Sequence, residues 1–504
     1  MGDLQFNNIC SMKNVINVIF NEQRKKSSAI FLHYPKNNYH LSYSELFDQS
    51  LAIACALRQY GVKNGDKVLV VFDNVPESVI VAFALMIAGA ILVPVEPVIK
   101  NDSLQYIIED SEAKFFIFFD YIPENLNISS LYSMSYKELL NARIESKDIS
   151  YFTLSPEEII VILYTSGSTG NPKGIVFDYS SVIENFKEYG RVMKFSNQTR
   201  FLQVMPLYHA DGWNFTLLVP YLHNCTVVLT PKFNLNVCKD VFYITTEYNC
   251  NVLVAIPSIL DSITLFSHRY EPDELPKLDY VITSSEKLYR GTKATFEKLF
   301  NCEVYDLYGL TETQIVSYYN KDIEWIEGST GKLQYGVEVN FAEDGELMIK
   351  SPYLFKEYCN NKHLTDKVNK EGWFSTGDLG YLSEDGYLFL VGRKNDIINK
   401  GGEKIAPSEI SSIIKELSFV KDCHTLGIKD DIYGQNILSV VILNKSYQVS
   451  NAKSIIYNYC TSKLTHSSVP KQIVFMNSFP LNKVGKKDVL KLKDILRHEY
   501  EMEF

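Results

Sequence analysis

Residues 79–95 form an apolar run broken only by Gly89 and Pro94. A segment that is apolar on every side has no face to offer to water, so it is buried in a core or spans a membrane. A span needs about 20 apolar residues, and this run is shorter and carries a glycine and a proline. It reads as a buried helix over 78–88 that turns at Gly89 into a buried strand over 91–95. The surrounding chain alternates in the same way, with a helical pattern over 43–60 and a strand pattern over 66–72. Such alternation builds a mostly parallel sheet with helices on its faces. Residues 121–157 are polar and weakly patterned and read as an irregular connection. Strand-like runs at 252–256 and 280–282 flank a helical piece that begins near Pro257.

With 504 residues, the chain has room for roughly two to four domains. Apolar residues make up 46% and charged residues 22%, the balance of an ordinary globular protein. A net charge of -10, with no basic stripe, argues against nucleic acid as a partner. The nine cysteines are scattered with no Cys-x-x-Cys pair and read as reduced thiols. Residues 1–20 lack a basic segment followed by a sustained apolar one. A cytoplasmic protein with no membrane span is therefore expected.

Tyr164-Thr-Ser-Gly-Ser-Thr-Gly-Asn-Pro-Lys-Gly174 follows the β-branched run Ile159, Ile160, Val161 and Ile162. Glycines allow close backbone approach, hydroxyls donate, and Lys173 adds a mobile positive charge. The stretch reads as an anion-binding loop, although a polar hairpin turn has the same composition. It is not a Walker-type P-loop, because Pro172 precedes the lysine and Gly174 stands where a magnesium-binding Ser or Thr is needed. Residues 174–178 read as a returning strand, with a helix opening around Ser180 or Ser181.

Five more motifs carry chemistry. Met205-Pro-Leu-Tyr-His-Ala-Asp-Gly-Trp213 holds His209 and Trp213, which as an isolated pair read as core residues. Its Asp211 reads as a capping or structural aspartate, or as a partner for a substrate ammonium group. Asp306-Leu-Tyr-Gly-Leu-Thr-Glu-Thr313 offers a ring for stacking (Tyr308), close approach at Gly309, a hydroxyl (Thr311) and a carboxylate for a hard cation (Glu312). It also reads as a helix start with Thr311 as cap and Glu312 in the first turn. Trp373-Phe-Ser-Thr-Gly-Asp-Leu-Gly380 contributes Asp378, and Gly392-Arg-Lys-Asn395 contributes Arg393. Pro480-Leu-Asn-Lys-Val-Gly-Lys486, followed by Lys487, would by itself be a solvated lysine cluster.

In this order, over residues 40–490, the motifs resemble those of the adenylate-forming enzymes: acyl-CoA synthetases, the adenylation domains of peptide synthetases, and luciferases. The acyl-CoA synthetases are closest in type. The resemblance implies an α/β fold. A large N-terminal domain over 1–394 would hold stacked mixed sheets, flanking helices and a small β region. A small mobile α+β domain over 395–504 would follow, with the hinge near Asn395, where Asp or Lys is usual. It implies ATP, Mg2+ and CoA, a small carboxylic acid as substrate, and two half-reactions: acyl-adenylate formation with release of pyrophosphate, then transfer to a thiol. CoA is the favoured thiol, with a separate acyl or peptidyl carrier protein as the alternative. A nucleotide-binding protein without turnover is a more distant alternative.

Residue roles are implied in the same way. Thr165, Ser166, Gly167, Ser168, Thr169, Gly170 and Lys173 form the phosphate loop, and Glu312 with Thr169 holds the metal. Thr311 contacts the α-phosphate, Tyr308 stacks on adenine beside Gly309, and Asp306 lies near the adenine amine. Ser284, Ser285 and Glu286 form the adenine wall, the two serines standing where the family shows two glycines. Asp378 and Arg393 hold the ribose. His209, Asp211 and Trp213 line the acid pocket, with Trp213 resembling a gate to an acyl tunnel. Lys400, Gly401 and Gly402 border the thiol channel, and Lys486 is the catalytic lysine of the first half-reaction, with Lys483 and Lys487 as decoys.

Overall fold

The computed structural model describes residues 28–119, 128–142, 154–165, 172–271, 274–444, 449–481 and 487–504. The apolar run forms the helix Pro76–Ala88, in which every residue except Glu77 is buried. Gly89 ends it in the left-handed region at φ 68°, where a residue without Cβ has no steric penalty. The strand Ile91–Val95 follows and is buried throughout. This helix and its neighbour Tyr43–Gln59 share one core with Val68, Val70 and Leu92 of one sheet and Phe201, Leu202 and Val227 of another. Helices thus fill the space between two sheets, and that burial explains the absence of a polar face. Among the described residues no helix is long and apolar enough to cross a membrane.

The first sheet has seven strands. Lys67–Val71 lies parallel to Ile91–Val95 and Phe115–Phe118. The antiparallel pair Ile159–Thr165 and Lys173–Asp178 extends the sheet, as expected for a loop joining two strands. The next helix starts at Tyr179, slightly earlier than expected, because Asp178 caps it by accepting from Ser181 N. The region 121–157 departs from expectation: it holds the strand Tyr132–Ser135, parallel to Phe115–Phe118, and the helix Tyr136–Asn141. Both are too short to show a period, and the helix is started by a reciprocal Ser135–Glu138 capping box.

In the second sheet, Ile30–Tyr34, Thr226–Leu229, Arg200–Gln203, Val252–Val254, Tyr280–Thr283 and Glu303–Leu310 run parallel. The direction then reverses, because Gln314–Tyr318 returns antiparallel to Glu303–Leu310. The small β region around 345–380 continues this sheet. The carboxyl ends of the parallel strands, where an open α/β sheet binds ligands, lead into the motifs at His209, Ser284 and Thr311.

The C-terminal domain has its own five-stranded sheet. Val420–Asp430 and Gly434–Leu443 pair along their length, and helices cover both faces: Ile410, Ile414, Ile456 and Cys460 belong to one core, Leu492 and Leu496 to another. It meets the large domain through Lys287 Nζ, which donates to Ser412 Oγ at 3.0 Å, and through Lys415 Nζ, 3.7 Å over the ring of Tyr289.

Candidate active site

A cavity of about 240 Å³ lies at the carboxyl ends of the parallel strands. Three stretches far apart in sequence meet there: Thr165 at the end of its strand, the His209–Trp213 segment, and Gly309–Thr311. Ser284 and Ser285 form part of the same wall, and Val161, Leu163, Phe177 and Phe215 make it apolar elsewhere.

His209 precedes the short helix Ala210–Trp213. Its position depends on Asn74, which is 1% exposed, donates to Met205 O and Thr230 O, and accepts from Leu207 N. Asn74 thereby ties the loop of the second sheet to the end of a strand of the first. Trp213 is fully buried and lines the cavity. Asp211 Oδ2 accepts from Ser284 Oγ at 3.0 Å and Ser285 Oγ at 2.8 Å. Glu286 is occupied elsewhere, accepting from Ser258 N at the start of the helix Pro257–Ser267.

The expectation of a helix opening at Thr311 is incorrect. Thr311 and Glu312 sit in a tight turn between two antiparallel strands, closed by Thr313 N donating to Leu310 O and by Leu310 N donating to Thr313 Oγ1. Gly309 is required there, because a Cβ on it would lie 1.8 Å from Gln314 O. The glycine therefore serves the hairpin directly. Glu312 Oε1 accepts from Tyr358 OH at 2.7 Å, and Lys173 Nζ lies 5.7 Å from the centroid of the same ring. Tyr358 thus joins the loop lysine to the turn carboxylate. It reaches them because Glu357–Tyr358 adds a strand beside Lys173–Asp178. The hard carboxylate oxygens of Glu312 suit Mg2+.

Asp306 and Tyr308 lie on the other face of their strand from Leu307 and Gly309, and do not line the cavity. Asp306 is buried with Oδ1 unpartnered among the described residues, and desolvation pushes its carboxyl well above the usual range. Tyr308 OH donates to Asp378 Oδ2 at 2.7 Å, and Arg393 Nε pairs with Asp378 Oδ1 at 2.7 Å. Asp378 and Arg393 face each other across adjacent strands. Burial raises the Asp378 pKa despite the opposing effects of Arg393 and Tyr308.

Lys400, Gly401 and Gly402 form a hairpin turn on the small domain and do not line the cavity. Lys400 Nζ donates to Ser467 O at 2.9 Å. Lys487 Nζ donates to Asp422 Oδ1 at 2.8 Å and to Cys423 O at 3.1 Å. Ser166, Gly167, Ser168, Thr169, Gly170, Lys483 and Lys486 lie outside the described residues. Tyr358 and Asn74 were not found by sequence reasoning. No pattern marks either of them, since each acts across a contact between distant segments.

Two family models match the chain: AMP-binding enzyme over residues 19–359 and AMP-binding enzyme C-terminal domain over 409–486. The long-chain-fatty-acid–CoA ligase FadD13 of Mycobacterium tuberculosis is 27% identical over 494 residues, covering 92% of this chain and 94% of the relative. The 2-succinylbenzoate–CoA ligase of Bacillus cereus is 27% identical over 458 residues, covering 88% and 91%. Among solved structures, ATP-bound MatB from Rhodopseudomonas palustris superposes with a TM-score of 0.88 at 22% identity, covering 97% of this chain and 100% of that one. MenE from Bacillus subtilis with its acyl-adenylate gives 0.83 at 22%, covering 96% and 98%. With both models matched in order on a fold of this architecture, the chain belongs to the AMP-binding enzyme family.

Proposed function

We infer that this protein is an AMP-forming acid–thiol ligase, which activates a carboxylic acid with ATP and passes the acyl group to CoA. One observation carries this reading: Thr165, His209 and Thr311, from three distant motifs, line a single cavity beside the Lys173–Tyr358–Glu312 group. In the first half-reaction a carboxylate oxygen bonds to the α-phosphorus of ATP while the bond to the bridging oxygen of pyrophosphate breaks. Negative charge grows on the phosphoryl oxygens, so the protein's task is positioning and charge stabilisation. Thr165 and Lys173, with Ser166, Gly167, Ser168, Thr169 and Gly170, hold the departing phosphates. Thr311 and Lys486 act at the α-phosphate. Glu312 and Thr169 would hold Mg2+, which would supply positive charge against the phosphates.

In the second half-reaction a thiol adds to the acyl carbonyl and AMP leaves. The domain boundary is placed at 394/395, with Asn395 as the hinge that brings Lys400, Gly401 and Gly402 to the site as Lys486 withdraws. CoA is favoured over a carrier protein, in keeping with the relatives, whose names are those of CoA ligases. A cytoplasmic location belongs to the same proposal, and among the described cysteines none is in a disulfide.

The test separates the two halves. Lys486→Ala should abolish ATP–pyrophosphate exchange yet leave thioester formation from a supplied acyl-adenylate largely intact. Equal loss in both halves would overturn the assigned division of labour. A panel of fatty, aromatic and amino acids run with CoA and with carrier proteins identifies the acid and the acceptor. Absence of exchange with every acid would overturn the ligase reading.

A further inference from the structure

The wall of the cavity formed by Ser284 and Ser285 is under strain. Ser285 has a φ of +69°, and Glu286 N donates to Ser284 O at 2.8 Å. A hydrogen bond from residue i+2 back to residue i around a positive φ is a γ-turn of the rare, strained kind. A residue bearing a side chain holds that conformation only where its surroundings enforce it. Two groups enforce it here. Glu286 Oε2 accepts from Ser258 N at 3.1 Å, fixing the far side of the turn. On the near side, a single oxygen of Asp211 takes both serine hydroxyls, at 3.0 and 2.8 Å.

Asp211 is itself held in place. It belongs to the helical turn Ala210–Trp213, and at the next residue, Gly212, a Cβ would lie 1.9 Å from Pro206 O. That turn therefore rests directly on backbone and cannot shift toward Pro206. Asp211, Ser284 and Ser285 all border the same cavity as Thr311 and Gly309. A carboxylate that accepts two hydroxyls from a distant segment of the lining is a brace for the pocket.

We propose that Asp211 is a positioning residue: it holds the strained Ser284–Ser285 turn and so keeps that wall shaped for the nucleotide, and it does not receive an amine of the acid substrate. The proposal rests on the ligase reading above. It also explains how a serine is tolerated at 285, where a glycine would be unstrained. Glycine needs no brace at positive φ, whereas serine does, and here the serines carry the hydroxyls that the brace grips.

The experiment compares Asp211→Ala, Asp211→Asn, the Ser284→Gly/Ser285→Gly double variant, and that double variant combined with Asp211→Ala. ATP affinity is measured by calorimetry on the full chain, and kcat and KM for ATP by pyrophosphate exchange. Losing the brace should weaken ATP binding about tenfold in Asp211→Ala, the scale of one strained residue. Asp211→Asn should stay within about threefold, because its amide oxygen still accepts both hydroxyls. In the glycine background Asp211→Ala should change ATP affinity less than about twofold, the signature of coupling through the serines. An equal loss in both backgrounds, or a loss in Asp211→Asn matching that of Asp211→Ala, would overturn the proposal. An effect confined to the KM of the acid would overturn it as well. Wild-type protein that binds no ATP and exchanges with no acid would overturn the ligase reading instead.

Discussion

Tyr308→Phe removes one hydroxyl from the best-defined polar group of the large domain. Asp378 is 5% exposed, and its two oxygens take Arg393 Nε and Tyr308 OH, each at 2.7 Å. Arg393 has half of its side chain in solvent, so its pairing with Asp378 is screened and cannot make good the loss of the phenol. A hydrogen bond to a charged group contributes about 1.5–3 kcal/mol, and a buried carboxylate oxygen left unpaired falls toward the upper end. The variant should therefore lose about 2–3 kcal/mol of stability near neutral pH.

The pH dependence has a definite sign. Burial raises the folded pKa of Asp378 above its ordinary value of 3.8, so its protonated form favours folding below that value and the benefit is lost as pH rises through the folded pKa. Without the phenol the folded pKa rises further and more is lost at neutral pH. On acidification toward about pH 4 the difference between variant and wild type should shrink to about 1 kcal/mol, that of a neutral hydrogen bond. Urea unfolding followed by intrinsic fluorescence at several pH values measures both quantities. A difference that is below about 0.5 kcal/mol near neutral pH, or that grows on acidification, would refute the reasoning.

Two other perturbations probe the same strand. Desolvation raises the carboxyl pKa of Asp306 well above 3.8, so this group should lower stability by about 1.4 kcal/mol per unit as pH rises from 3.8 toward its folded pKa; urea unfolding across pH should show that slope in wild type and lose it in Asp306→Asn. Gly309→Ala places a Cβ 1.8 Å from Gln314 O, a backbone atom that cannot move without opening the hairpin. It should cost at least about 3 kcal/mol in denaturant unfolding and sharply reduce pyrophosphate exchange, and a loss under about 1 kcal/mol would show the turn to be more yielding than its geometry.

Much of this architecture is written in local patterns. An apolar run without a polar face has to be a buried helix and strand, and Pro76–Ala88 and Ile91–Val95 are both buried. Two β-branched or apolar runs around a polar loop become an antiparallel pair, and Ile159–Thr165 with Lys173–Asp178 is one. The short elements at 132–141 escaped because four strand residues and six helical ones complete no period. The order of the motifs was enough to nominate the site, since each carries its own chemistry in a few adjacent residues.

What tertiary structure decided is which groups meet. A helix or a hairpin at Thr311 fits the same local residues, and pairing of Gln314–Tyr318 with the preceding strand selected the hairpin. Tyr358 reaches Glu312 from 46 positions away, and Asn74 reaches Met205 from 131 away. No spacing encodes such contacts, because they depend on how strands are ordered within the sheets. Asp211 shows the difference most clearly. As a residue type in a motif it fits a cap, a structural brace or an amine receptor equally well. Only the fold brings it within 3.0 Å of the two serine hydroxyls, 73 and 74 positions further on, on which the proposed brace rests.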